Sequence, residues 1–250
     1  LVSTRASGIK SQFGTMGKPY HAGMAASNGI EAAKLSKLGF VSKEDGMECD
    51  QGFFLTHGWD KKLPNRAVEN LGTDFLFPEI KYKFHACCHG LHSFLEALEE
   101  LKQENNFNPE TIEEIAIETN PSWLKVCNIE KPKTGLESKF SYKLTAAMSI
   151  YGKDTADLGT YNDDICFDDK MNNIRDKVKV IPNDQLTNTQ SLISIKDGSR
   201  DIKNKHDLSD KIDQNILENK IVNKSAMLLS KNKSNEISKM LNIPSESKVS

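Results

Sequence analysis

Between Pro19 and Leu38 the small residues Ala22, Ala25, Ala26, Gly29, Ala32 and Ala33 recur at spacings of three and four. That spacing places them along one face of a helix. Pro19 suits the first turn and Gly39 the C-terminal cap. A face without bulk lets another backbone approach closely, so this helix is expected to be buried among others.

The stretch that opens it, "GTMGKPYHAG" at residues 14–23, puts Lys18 and His21 where the helix dipole is already positive. Positive charge there is repelled unless an anion arrives, and helix N-termini are ready anion sites. Lys18 and His21 are therefore candidates to hold a carboxylate, His21 equally a candidate to cap or pack within the helix.

Downstream the periodicities alternate. "EIKYKF" (79–84) reads as a short strand, followed by helical spacing through Leu91, Leu95, Leu98 and Leu101. A weak helical stretch is expected at 65–71. Asn108 and Pro109 suggest a cap and a brief helix that runs into a strand near Ile115 to Glu118. A helix is expected from Ser138 to Tyr151, closed by Gly152, and another from Asp168 or Asp169, giving way to a strand at "KVKVI". "SLISIKDGSR" reads as a strand into an Asp-Gly turn, and the Lys-, Asn- and Ser-rich stretch after 201 as two polar surface helices with loose last residues. The fold class is α+β.

Lys plus Arg number 33 against 35 for Asp plus Glu. A balance this even gives no reason to expect a nucleic-acid or anionic-membrane partner. No apolar run reaches the roughly 18–20 residues of a membrane span, and the start carries no signal-peptide pattern. Five cysteines, an odd number, do not suggest a disulfide framework, so a reducing cytoplasm is the expected setting. The chain begins at Leu1 and reaches an amphipathic helix within twenty residues, which reads as a piece of something longer.

Chemistry concentrates between 81 and 92. His85, His89 and His92 fall at spacings of four and three beside Cys87 and Cys88. Three readings are open: a zinc site, a packed or capping role, and substrate binding or proton transfer. Zinc is disfavoured because the helix is expected to begin near His89 and no paired Cys-x-x-Cys flanks it. Lys81 and Lys83 would share one face of the expected strand, either as a solvated edge or as a cationic wall able to grip carboxylates. No nucleophile elbow, phosphate loop or dinucleotide fingerprint is present, so nucleotide and redox cofactors are not expected.

The segment "ASGIKSQFGTMGKPYHAGMAASNGIEAAKLSKLGF" (6–40) closely resembles the part of the MmgE/PrpD family where a Gly-Thr-Met-x-Lys-Pro-x-His-Ala-Gly motif opens a buried helix. "KFHACCHGLHSFLEAL" (83–98), "TGLESKFSYKLTAAMSIYG" (134–152) and "HDLSD" (206–210) resemble later signatures of that family, in the same order. The resemblance implies the C-terminal portion of a hydro-lyase that acts on di- or tricarboxylates without cofactor, iron–sulfur cluster or other metal. Family activities include dehydration of 2-methylcitrate, decarboxylation of cis-aconitate and epimerisation of iminodisuccinate. A non-catalytic truncated paralogue is the alternative.

It implies an all-helical domain carrying an inserted α+β lid. Residues 1–55 would finish the helical domain, 56–200 would form the lid, and 201–250 would return to the helices. The full-length protein would be a homodimer, and a 250-residue chain alone would show little activity. By the same resemblance Lys83 and His85 are catalytic, and Lys18, His21 and His92 bind substrate. Where many members have a tyrosine four residues after the signature phenylalanine, this chain has Leu144, with Tyr142 two positions earlier.

Overall fold

Gly39, at φ +85°, is the left-handed residue that stops helix α1 (Gly17–Lys37). The computed structural model describes residues 1–58, 68–77 and 80–241. They fall into two units, Leu1–Lys81 and Tyr82–Ser250.

In the first unit α1 is packed by the turns Val2–Arg5 and Lys10–Gln12. Asn28 donates to the Arg5 carbonyl at 3.1 Å, and Arg5 pairs with Glu31. A short helix, α2 (Phe53–Thr56), follows. The expectation of a buried α1 is not met in this chain. Only Asn28 and Ala32 are buried, while Ala22, Ala25, Ala26, Gly29 and Ala33 are exposed. The turns reach the side that carries Asn28 and leave most of the small-residue face open. The expected helix at 65–71 lies partly outside the described residues, and 68–71 forms a turn.

The second unit is a helical layer on a four-stranded sheet. Strands β1 (Ile112–Thr119), β2 (Val178–Pro182), β3 (Gln190–Asp197) and β4 (Arg200–Asp207) lie in the order β2-β1-β3-β4, with β1 and β2 parallel and the other pairs antiparallel. Alternation decides which face is covered. Ile115, Ile117 and Thr119 of β1 are buried opposite Ile195, Ile193 and Ser191 of β3. Helix α3 (His92–Glu104) lies over β3 and β4, its Phe94, Leu95, Leu98 and Leu101 all buried. Asn204 of β4 donates to the Ala97 carbonyl, and Ser93 to that of His206.

The crossover from β1 to β2 carries α4 (Pro121–Cys127), α5 (Gly135–Ser138), α6 (Tyr142–Ile150), α7 (Asp163–Phe167) and α8 (Asp169–Asp176). Their first N–H groups are met by the side chains of Asn120, Thr134, Ser141, Asn162 and Asp168. After β4 come α9 (Gln214–Leu229), capped by Asp213, and α10 (Lys231–Leu241).

The α+β class and most elements agree with the sequence reading. Three expectations change. Residues 80–84 of "EIKYKF" form no strand. No strand of the described sheet pairs with them, and the stretch that follows bonds instead to loops, Ala86 N–H to the Thr155 carbonyl and Cys88 N–H to that of Lys139. Asn108 makes a turn, its side chain accepting from the Glu110 N–H, rather than a helix. The helical spacing inferred after 201 begins only at Gln214, because 200–207 pairs with β3 as a hairpin turned at Gly198, whose φ is +59°. The last residues, 242–250, lie outside those described.

Candidate active site

A 3-10 turn, His89–Leu91, joins the bend at 85–87 to α3 and brings three imidazoles together. The turn tolerates no side chain at its middle. A Cβ on Gly90 would stand 2.6 Å from the Trp123 ring and 2.8 Å from Cys127 Sγ. Tyr142 donates its hydroxyl to the Gly90 carbonyl at 2.7 Å. Buried at the start of α6, with Thr119 Oγ1 3.2 Å away, that tyrosine is a core anchor of the turn. Leu144 is buried with it.

His85 is gripped at both nitrogens. Nδ1 lies 2.7 Å from Thr155 Oγ1 and Nε2 lies 3.1 Å from Glu96 Oε1. A carboxylate only accepts, so Nε2 carries a hydrogen. The other carboxylate oxygen of Glu96 is met by Lys220, from α9, whose ammonium also lies 5.0 Å from the centre of the Phe84 ring. Burial alone would push the Glu96 carboxyl up. The hydrogen bond and charge of His85, with those of Lys220, outweigh it and hold the group at about 2. Thr155 is fixed in turn, its carbonyl accepting from Ala86 N–H and from the Tyr161 hydroxyl at 3.0 Å.

His92 is the opposite case. Its ring centre is 5.1 Å from that of His85 and 5.7 Å from that of His89. Nε2 is buried with no hydrogen-bond partner among the described residues. Burial, then the charges of His85, Lys83 and His89, drive its pKa down to about 2. A neutral ring with a free lone pair results. Burial, with Lys83 beside it, also lowers His89. Burial raises the Cys87 thiol to about 12, which leaves it protonated.

Lys83 is exposed and forms no ion pair within 4 Å among the described residues, yet its charge reaches Cys87, His89, His92 and Lys224. Lys224, one turn after Lys220 on α9, donates to the Ala156 carbonyl at 2.7 Å.

Of the residues the sequence singled out, Lys83, His85 and His92 thus come together in the second unit. Lys18 and His21 belong to the first. Lys18 is exposed with its ammonium 5.2 Å from the centre of the Phe13 ring, and His21 is half-buried against Gly8, where a Cβ would come within 3.1 Å of its ring. Gly8 sits at φ +106°, so glycine is needed there on both counts. The N-cap position of α1, Met16, offers no side-chain cap.

Sequence reasoning missed Glu96, Thr155, Lys220 and Lys224. Glu96 could have been found, four residues after His92 on a predicted helix. The others join the site only through the fold. Among the described residues no three His, Cys, Asp or Glu side chains converge as metal ligands, and the five cysteines are free thiols.

This constellation falls within residues 85–242 apart from Lys83, and that stretch matches the MmgE/PrpD C-terminal domain. The chain belongs to the MmgE/PrpD family. A cis-aconitate decarboxylase-like protein of Aspergillus oryzae is 31% identical over 110 residues, which cover 41% of this chain and 23% of that protein. The cis-aconitate decarboxylase of Aspergillus terreus is 26% identical over 165 residues, covering 60% of this chain and 34% of that protein. The matched stretches are therefore about a third of those MmgE/PrpD relatives or less. Among the described residues no helix is long and apolar enough to cross a membrane.

Proposed function

We propose that this chain is the C-terminal part of a lyase acting on a small polycarboxylate, a 2-methylcitrate-like hydroxy acid undergoing dehydration. His92 and His85 serve proton transfer, and Lys83 holds a carboxylate. Lys18 and His21 hold a carboxylate at the entrance of α1. The family plan assigns 1–55 and 201–250 to a helical domain and 56–200 to an inserted lid, in a homodimer that needs no cofactor.

The observation that carries this reading is the buried, unpartnered Nε2 of His92 with the cation Lys83 in electrostatic reach. An imidazole held near pKa 2 is a poor base while the site is empty. A bound carboxylate opposes the charge of Lys83 and raises the proton affinity of the ring. The base is thus armed by the substrate itself. In dehydration it takes the proton next to a carboxylate while an acid assists the departing hydroxide. Such transfer contributes about 10² to 10⁴ in rate, and Lys83 steadies the enolate-like charge that develops.

A second reading is decarboxylation of cis-aconitate, favoured by the names of the Aspergillus relatives. Loss of carbon dioxide leaves a carbanion that must be protonated, which asks for the same imidazole and cation. Epimerisation of iminodisuccinate uses the pair once in each direction.

The test is turnover by the natural full-length protein of 2-methylcitrate, cis-aconitate and iminodisuccinate. At least one is expected to react, with His92→Gln lowering kcat by about 10² and Lys18→Ala lowering kcat/KM at least about tenfold. No turnover of any of the three would overturn the lyase reading.

A further inference from the structure

Helix α9 sends two lysines, one turn apart, into the surroundings of His85, and only one of them meets an anion there. Lys220 is paired with Glu96, so its charge is answered by the carboxylate that holds His85. Lys224, half-buried, donates to the Ala156 carbonyl at 2.7 Å and has no carboxylate within 4 Å among the described residues. An ammonium carries three hydrogens, and that bond accounts for one. Asp154 and Asp157 lie in electrostatic reach, yet each turns an oxygen to the backbone of its own loop, to the Ala156 and Gly159 N–H groups at 2.8 Å.

Ala156 follows Thr155, whose hydroxyl lies 2.7 Å from His85 Nδ1 and whose carbonyl accepts from the Ala86 N–H at 2.8 Å. The backbone at 155–156 therefore lies against the segment 85–86, and Lys83 stands two residues before His85 on that same segment. Lys83, like Lys224, forms no ion pair within 4 Å among the described residues. Burial, with the charge of Lys83 adding to it, lowers the Lys224 pKa. Two like charges kept near each other without counter-ions are unfavourable, and a dianion relieves both at once.

We infer that Lys224 is a second carboxylate-binding residue of this site, gripping one carboxylate of the ligand while Lys83 grips another. This deepens the proposed function, and it rests on the carboxylate assigned there to Lys83. Lys220, already neutralised by Glu96, takes no part in the grip.

The competing account is that Lys224 is a clip tying α9 to the 153–160 loop through the Ala156 carbonyl. A clip is blind to the charge of the ligand. The experiment uses the natural full-length protein and measures Kd, by calorimetric and NMR titration, for succinate and for succinamate, in which a neutral amide replaces one carboxylate. In Lys224→Gln, which keeps a hydrogen-bond donor and removes the charge, succinate is expected to bind at least about tenfold more weakly. Succinamate is expected to lose no more than about threefold, because its single carboxylate can still go to Lys83. Lys83→Gln is expected to give the same pattern. Equal weakening of both ligands, or no weakening of succinate, would overturn the inference, as would a wild-type protein that binds succinate no better than succinamate. Absence of turnover on any substrate with the binding pattern intact would count against the lyase reading alone, and turnover with the pattern absent against Lys224 alone.

Discussion

His85 Nε2 lies 3.1 Å from Glu96 Oε1, and the second oxygen of that carboxylate is held by Lys220. Three side chains, from the bend before the His89–Leu91 turn, from α3 and from α9, thereby meet around one buried negative charge. Glu96→Gln keeps the shape and removes the charge. It should cost about 1–3 kcal/mol, read from urea denaturation. Lys220→Met should cost less, since that lysine is partly exposed, and the double variant should cost less than the sum of the two. Strict additivity would show that the two groups do not act as a unit.

Acid should unfold this chain in two stages. His92 is held at about 2 against an ordinary 6.5, and Glu96 at about 2 against 4.5. In both cases the unfolded chain binds more protons than the folded one, so stability rises with pH through the window. On acidification the His92 contribution is lost below about 6.5 and that of Glu96 below about 4.5. Urea midpoints measured from pH 7 to 4 should fall steadily. His92→Leu should flatten the portion between 6.5 and 4.5, and a slope that persists undiminished there would assign it to other groups.

Gly90→Ala should be disruptive out of proportion to one methyl group. Its Cβ would overlap the Trp123 ring, which is tied by its indole N–H to the Asn188 carbonyl, and the buried Cys127 Sγ. Overpacking of this kind costs about 1–3 kcal/mol. The change should appear as a lowered Tm and as a disturbed His92 resonance, because the turn that aims His92 is what shifts.

Tyr142→Phe should lower stability by about 1–3 kcal/mol, the usual penalty for a buried carbonyl left without its donor. As an anchor rather than a reacting group, Tyr142 should affect KM and kcat far less than His92 does. A loss of turnover equal to that of His92→Gln with unchanged Tm would instead make it part of the chemistry.

What the sequence could reveal followed from local rules. The start of α8 was legible because Asp168 is a strong cap, and the turn that ends β3 because Asp197-Gly198 marks it, although β4 beyond the turn was read as the start of a polar helical stretch. "EIKYKF" misled because alternation does not by itself bury one side: Ile80 and Tyr82 are exposed, and only the stretch after it, at Ala86 and Cys88, is bonded to the Thr155 and Lys139 carbonyls. Within the candidate site, His85 and His92 were visible as a spacing. Thr155 and Lys220 were not, because 70 and 124 residues of chain separate them from the groups they bond. Long-range pairs of that kind leave no periodic trace. The small-residue stripe of α1 was read correctly as a helix, yet helical spacing alone cannot say which surface comes to cover it.

The separation between Glu96 and Lys220 has a consequence in time. At synthesis rates of about 5–20 residues per second, 124 residues take roughly 6–25 s. Throughout that interval the nascent domain carries a carboxylate meant for burial without its ammonium counter-ion. Closure of α3 over its surroundings before α9 emerges would strand that charge in a dry setting. The domain therefore has reason to mature late, with the arrival of α9 as the event that seals the imidazole cluster.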